Sequence, residues 1–209
     1  MTTLSIEQKR ENSKKVILDL CGGTSAWSRP YKEAGYKVIL VTLPESDVRY
    51  YRPPENVYGI LAAPPCTMFS YARTNAKTPR DLKSGMECVR ACLNIIWSFM
   101  EIRQNTAKKI IPLQFWALEN PYHGFLKKFL SKPAFTFDPW EFGDGYQKRT
   151  ALWGHFNEPI KRPIPTLGVK FDYLKSKDIH PEKFGVFDRQ TRRSITPQGF
   201  AKAFFEANP

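Results

Sequence analysis

The chain has 209 residues, 42% of them hydrophobic and 25% charged, which is ordinary globular usage. Its 12 Gly and 17 Pro are too few and too scattered for a collagen-like or low-complexity chain, and at this length a core needs no disulfide or metal to hold it. Thirty-two Lys and Arg against 20 Asp and Glu leave a net charge of +12, which favours polyanionic partners, with nucleic acid first among them.

No apolar run reaches the ~18–20 residues of a membrane span. The first ten residues lack the apolar stretch of a signal peptide. The expectation is a soluble, cytoplasmic protein with four reduced cysteines and no membrane contact.

Residues 1–15 read as a polar arm, loose or forming a short helix. Val16–Leu20 is an apolar run of buried-strand type that ends in a small-residue turn, Cys21-Gly22-Gly23-Thr24-Ser25. A short helix fits Ser28 to Ala34, with Pro30 in its first turn and Gly35 as its stop. Val38–Thr42 and Val57–Ala62 are the second and third strands. Thr78-Pro79 reads as the cap of a long helix whose apolar face carries Met86, Val89, Leu93, Ile96, Trp97 and Met100. Phe115–Glu119, Ala134–Phe137 and Thr150–Trp153 are further strands, and Thr196-Pro197 opens a last helix with Phe200 and Phe204 on one face. Alternation of strands and helices over the first 120 residues predicts a mostly parallel sheet with helices on both faces.

The expected organisation is one α/β domain over 16–154, a short basic segment over 155–192, and a helix in 193–209 that packs back on the domain. Between Lys161 and Arg193 stand nine Lys and Arg against four acids, with Phe171, Tyr173, Phe184 and Phe187 interleaved. Such a stretch either contacts phosphates and bases or is a solvated basic face; charge alone leaves both open.

Ligands of doubly wound sheets bind at the carboxyl ends of the strands, and four clusters fall there. The first is Asp19 with the turn after it, where glycines let backbone amides approach a ligand. The second is Ala63-Pro64-Pro65-Cys66-Thr67-Met68-Phe69-Ser70, in which two prolines stiffen a loop around one thiol. The third is Glu119-Asn120, a carboxylate on the last residue of an apolar strand, where burial raises its pKa and suits it to holding a proton. The fourth is Gln147 and Arg149, leading into a strand. Cys88 and Cys92 sit at i, i+4 on the long helix with no further ligand spaced to complete a site, so no metal is expected.

In this order the clusters resemble the DNA cytosine-5 methyltransferases, and the match runs over residues 16–207. The resemblance implies a Rossmann-like class I fold that binds S-adenosylmethionine. It places Asp19, Cys21, Gly22, Gly23, Thr24, Thr42, Asp47, Val48 and Pro64 at the cofactor. It makes Cys66 the nucleophile, with Glu119, Gln147 and Arg149 completing the catalytic set. Pro65, Ser70, Asn120 and Arg193 are then contacts to a cytosine flipped out of duplex DNA. A thiolate suits that chemistry because adding it to C6 makes the poorly nucleophilic C5 electron-rich, and the thiol leaves again afterwards.

The chain departs from the family pattern at several points. Cys21 stands where phenylalanine is usual, Thr42-Leu43-Pro44 where an acid ends the second strand, and Gly199 where an acid follows the arginine-led motif. The interval 155–192 is far shorter than a usual target-recognition region. This implies low or short-sequence specificity, a partner protein that supplies recognition, or a smaller substrate. Small stand-alone forms of this kind are similar to proteins carried by bacteriophages. The alternatives are the same chemistry on RNA or a free nucleotide, methylation of an amino group (N4 or N6), and a non-catalytic DNA-binding protein on the same scaffold.

Overall fold

The computed structural model describes residues 5–73, 76–101, 112–165 and 185–209. Four apolar runs form adjacent parallel strands: β1 (Val16–Leu20), β2 (Lys37–Val41), β3 (Gly59–Ala62) and β4 (Phe115–Pro121). With β5 (Phe135–Phe137) and β6 (Thr150–His155) they make a six-stranded sheet of order β2-β1-β3-β4-β6-β5. β6 runs antiparallel to both β4 and β5, so the sheet is mixed and not mostly parallel as the sequence led us to expect. The connection explains the difference. Between β5 and β6 stands only a 3-10 turn, Pro139–Phe142, and without a crossover helix the chain returns antiparallel. The arrangement is α/β and is Rossmann-like only in its coarse layout.

Successive side chains of a strand point to opposite faces, and each face has its own core. Leu18, Leu20, Ile60, Ala62 and Leu118 pack with Val89, Cys92, Ile96 and Phe99 of α3 (Leu82–Glu101). Ile17, Leu61, Ala117 and Leu152 pack with Tyr31 of α2 (Arg29–Glu33) and with Phe200 and Phe204 of α5 (Gln198–Ala207). Phe200 lies stacked on Phe137 with ring centroids 3.9 Å apart, an aromatic pair worth ~1 kcal/mol beyond its buried area. Asn208 closes that end: its Oδ1 accepts from the Asn157 amide at 2.7 Å, and its carbonyl accepts from the Tyr31 hydroxyl at 2.8 Å. Among the described residues no helix is long and apolar enough to cross a membrane.

Helix starts follow the sequence reading except at α3, and the groups that cap them differ. The polar arm contains a real helix, α1 (Ile6–Asn12), because Ser5 and Gln8 form a reciprocal capping box. Thr78 does not cap α3. Asp81 does, accepting the Ser84 N–H at 2.9 Å, while Arg80 is drawn onto the carbonyls of Met68 and Ser70 at 2.6 and 3.1 Å. Those bonds hold the preceding chain against the Cys66 loop and out of the helix. Ser28 occupies the cap position of α2 but gives its hydroxyl to Asp19. α5 has Pro197 at its cap position with no side-chain bond there; the carboxylate of Asp144 reaches across to accept the Gly199 N–H at 2.9 Å. A short helix, α4 (Arg189–Ser194), precedes it and is capped by Asp188.

Candidate active site

Two groups of side chains form at the carboxyl ends of the parallel strands. The first surrounds Asp19, whose side chain is fully buried on the face of β1 that carries α2 and α5. Its Oδ2 accepts the Ser28 hydroxyl at 2.5 Å, whereas its Oδ1 is buried without a hydrogen-bond partner. Burial pushes the carboxyl up to about 6, with the Ser28 bond pulling weakly the other way. Gly22 sits directly over it, and a Cβ there would stand 2.1 Å from Oδ1. The turn itself folds through left-handed positions at Cys21, Gly23 and Ser25 (φ 57°, 53° and 57°). Cys21 packs toward the α3 core, where the Cys92 thiol hydrogen-bonds it and pulls its pKa down. Thr24 is partly buried in the same turn.

Thr42 follows β2 and its carbonyl accepts the Ser46 N–H at 2.9 Å. The Asp47 carboxylate is gripped by Arg49, with Nη2 2.6 Å away and Nε 3.0 Å from both oxygens, which holds its pKa below the usual carboxylate value. Val48 turns inward and belongs to the α3-side core.

The second group surrounds Cys66. The thiol is partly buried at the head of a tight turn in which the Cys66 carbonyl accepts the N–H groups of Phe69 and Ser70 at 2.9 and 2.8 Å. Burial pushes the thiol up and the negative charge of Glu119 pushes it further, while Lys148 and Arg193 pull it back. Burial likewise raises the Glu119 carboxyl, opposed by Lys148. The phenol of Tyr146 is raised by burial and by the nearby carboxylates of Asp144 and Glu119. A thiol, a carboxyl inclined to hold its proton, an ammonium and a phenol thus share one neighbourhood. Such a set suits nucleophilic attack with proton transfer at a neighbouring atom.

Neighbouring residues brace the loop. Asn120, on the opposite strand face from Glu119, donates from Nδ2 to the Pro64 carbonyl at 3.0 Å. Pro65 is exposed at the tip, and the Ser70 hydroxyl oxygen accepts the Ala72 N–H. Gln190 of α4 donates to the Thr67 hydroxyl at 3.3 Å, which brings α4 and its Arg193 over the turn.

Cys66, Glu119 and Arg193 are therefore brought together, and Asp19, Cys21 and Gly22 form a separate cluster. Arg149 joins neither. Its guanidinium is bound to Thr136 at 2.9 Å, to Asp138 at 3.3 Å and, more loosely, to Glu141 at 3.8 Å. Gln147 lies partly buried two residues earlier. The sequence reading missed Lys148, which with Arg149 precedes β6 and acts on Cys66 and Glu119 while Arg149 is held by Thr136 and Asp138. It also missed Ser28 as the partner of Asp19.

At Gly199, where an acid was the expectation, a Cβ would stand 1.9 Å from the Phe142 carbonyl oxygen, so any side chain is excluded. In the basic segment, Lys161 and Arg162 pair with Glu141 and Glu206. Lys170, Phe171, Tyr173, Lys175, Lys177, Lys183 and Phe184 lie outside the described residues.

No family model and no curated protein matches this chain.

Proposed function

We propose that the chain transfers a methyl group from S-adenosylmethionine to C5 of a cytosine in DNA, through a covalent bond from Cys66 to C6, on a class I methyltransferase fold. The observation that carries the reading is the pairing of Cys66 with Glu119, whose negative charge raises the proton affinity of the thiol while burial raises its own, beneath a loop stiffened by Pro64 and Pro65.

When bound, S-adenosylmethionine supplies the methyl group on a sulfonium centre. The unpartnered Oδ1 of Asp19 and the bare Cα of Gly22 above it fit a ligand with a cationic amino group near that turn. Glycine there lets the backbone close over the carboxylate.

Cys66 passes its proton to solvent, and its sulfur attacks C6 of the ring, displacing the C5–C6 π pair. Lys148 and Arg193 favour the thiolate this requires. Negative charge then spreads toward N3, where Glu119, inclined to keep its proton, donates a hydrogen bond or the proton itself. With the sulfonium–methyl bond broken and its electron pair left on the sulfur of the departing thioether, C5 would carry the methyl group; loss of the C5 proton to a base would then return an electron pair to the ring and expel the Cys66 sulfur from C6. Asn120 acts as a positioning residue, since its amide is spent on Pro64.

Nucleoside mass spectrometry after incubation with S-adenosylmethionine and unmethylated DNA tests the reading. 5-Methylcytosine is expected with the wild type and absent with Cys66→Ala, and Glu119→Gln is expected to lower the rate roughly 100- to 10,000-fold. A methyl group on an exocyclic nitrogen, or product with Cys66→Ala, overturns it.

A further inference from the structure

We propose that the surface formed by residues 70–73 and 121–128 is a stacking platform for a single DNA strand that leads toward Cys66. Two segments build it. The turn after Cys66 and the chain after β4 pair through Phe125 N–H to the Phe69 carbonyl (2.9 Å), Tyr71 N–H to the His123 carbonyl (3.2 Å), and a bridge between Ser70 and Gly124. Gly124 permits this approach, since a Cβ there would stand 2.9 Å from the Phe69 carbonyl oxygen.

On this frame the rings of Tyr71 and Phe125 meet edge to face at 5.0 Å, and those of Tyr122 and His123 at 5.3 Å. Tyr71 is 42% exposed and His123 is exposed. Cations flank the rings: Lys127 lies 4.3 Å from the Tyr122 centroid and Lys128 5.2 Å from that of Phe125. Arg80 also covers Phe125, but its guanidinium is bound to loop carbonyls and serves the frame.

Accessible rings beside ammonium groups are the elements with which proteins hold single strands, because every unstacked base offers a face and every phosphate a charge. The bases of an intact duplex are stacked on one another and cannot lie on a surface ring, so the platform favours a strand whose bases are already free. Such a strand also presents its cytosine to Cys66 without the cost of extrusion from a duplex.

That the strand delivers cytosine rests on the proposed reaction; the strand-binding surface does not. Fluorescence anisotropy with a labelled 12-nucleotide single strand, and with the same strand annealed to its complement, tests it on the whole protein without S-adenosylmethionine. Tyr71→Ala is expected to weaken single-strand binding about tenfold and Tyr71→Phe to leave it unchanged. Lys127→Gln with Lys128→Gln should reduce the slope of log affinity against log salt by about 1.4. Thermal denaturation of each variant checks that it folds. Wild-type affinity in folded Tyr71→Ala and in the lysine pair overturns the proposal, as does tighter duplex binding that is indifferent to Tyr71. Platform-dependent binding without any methyl transfer overturns the proposed reaction alone, and methyl transfer without platform dependence overturns this inference alone.

Discussion

Lys148 and Arg149 are adjacent in the chain and serve opposite sides of the strand entrance. The ammonium of Lys148 acts on Cys66 and Glu119, while the guanidinium of Arg149 is tied to Thr136 and Asp138 on the β5 side. The same Asp138 accepts the Lys148 backbone N–H at 3.0 Å, so one carboxylate fixes the backbone of one residue and the side chain of the next.

The two residues should therefore separate by substitution. Lys148→Met is expected to raise the pKa of Cys66 and slow its alkylation near pH 8, followed by peptide mass spectrometry at that cysteine. Arg149→Met should leave Cys66 reactivity unchanged and cost ~0.5–1 kcal/mol of stability, since its ion pair is 37% exposed on the arginine side. In a chain of this length that is a Tm loss of about 1–4 °C. Slower alkylation in Arg149→Met and unchanged alkylation in Lys148→Met would reverse the assignment.

Asn120 predicts a sharper stability effect. Its Nδ2 donates to the Pro64 carbonyl at a buried position. Asn120→Asp is nearly isosteric but replaces that donor with a second acceptor facing a carbonyl, and it buries a charge. We expect a loss of about 3 kcal/mol or more, against ~1–2 kcal/mol for Asn120→Ala, which removes the bond without adding repulsion. Urea denaturation at pH 7 measures both. Lowering the pH should restore part of the Asp variant's stability, because the protonated acid can again donate, and should do little for the Ala variant.

Much of this arrangement was legible in the sequence. The runs at Val16, Val57 and Phe115 became central strands, where short apolar runs are covered on both faces, whereas the Val38 run became the edge strand β2 and is only partly buried. Strand direction was not legible, since Thr150–Trp153 reads the same in either sense and only the connection through Pro139–Phe142 fixes it. The loop around Cys66 and the acid at Glu119 stood out because each places a reactive group at the end of an apolar run. Lys148 did not, because it precedes β6 and only contacts distant in the chain decide which of two adjacent basic residues faces Glu119. Asp144 as a cap for α5 was out of reach for the same reason: the bond spans 55 residues.

Asp19 predicts a pH dependence of stability. Its carboxyl, ordinarily near 3.8, titrates at about 6 in the folded protein because burial disfavours the charge. The folded state thus holds the proton more tightly than the unfolded chain. The stabilisation is complete below pH 3.8, declines as pH rises, and is gone above about 6, a change on the order of 3 kcal/mol. Asp19→Asn keeps an acceptor for Ser28 and removes the titration. Its stability should fall less than that of the wild type between pH 4 and 7 in urea denaturation. The raised carboxyl of Glu119 contributes a slope of the same sign to both proteins and cancels in the difference. Parallel curves would show that Asp19 ionises freely.

Gly22 and Gly23 are adjacent and should respond differently to alanine. At Gly23 the backbone is left-handed, φ +53°, and a Cβ would meet nothing within 4 Å, so Gly23→Ala carries only the conformational cost of ~1–2 kcal/mol. At Gly22 a Cβ would fall 2.1 Å from Oδ1 and 2.3 Å from Cγ of Asp19, and the carboxyl it must displace is buried and bonded to Ser28. Gly22→Ala should cost ~1–3 kcal/mol through overpacking, and this penalty depends on a partner that can be removed. In an Asp19→Ala background the clash disappears, so adding Gly22→Ala there should cost at least 1 kcal/mol less than in the wild type. Gly23→Ala should cost the same in both backgrounds, because strain confined to its own φ has no partner. A double-mutant cycle by urea denaturation reads all of these values. Additivity at position 22 would mean that the turn relaxes away from Asp19, and coupling at position 23 would mean that its strain reaches beyond its own backbone.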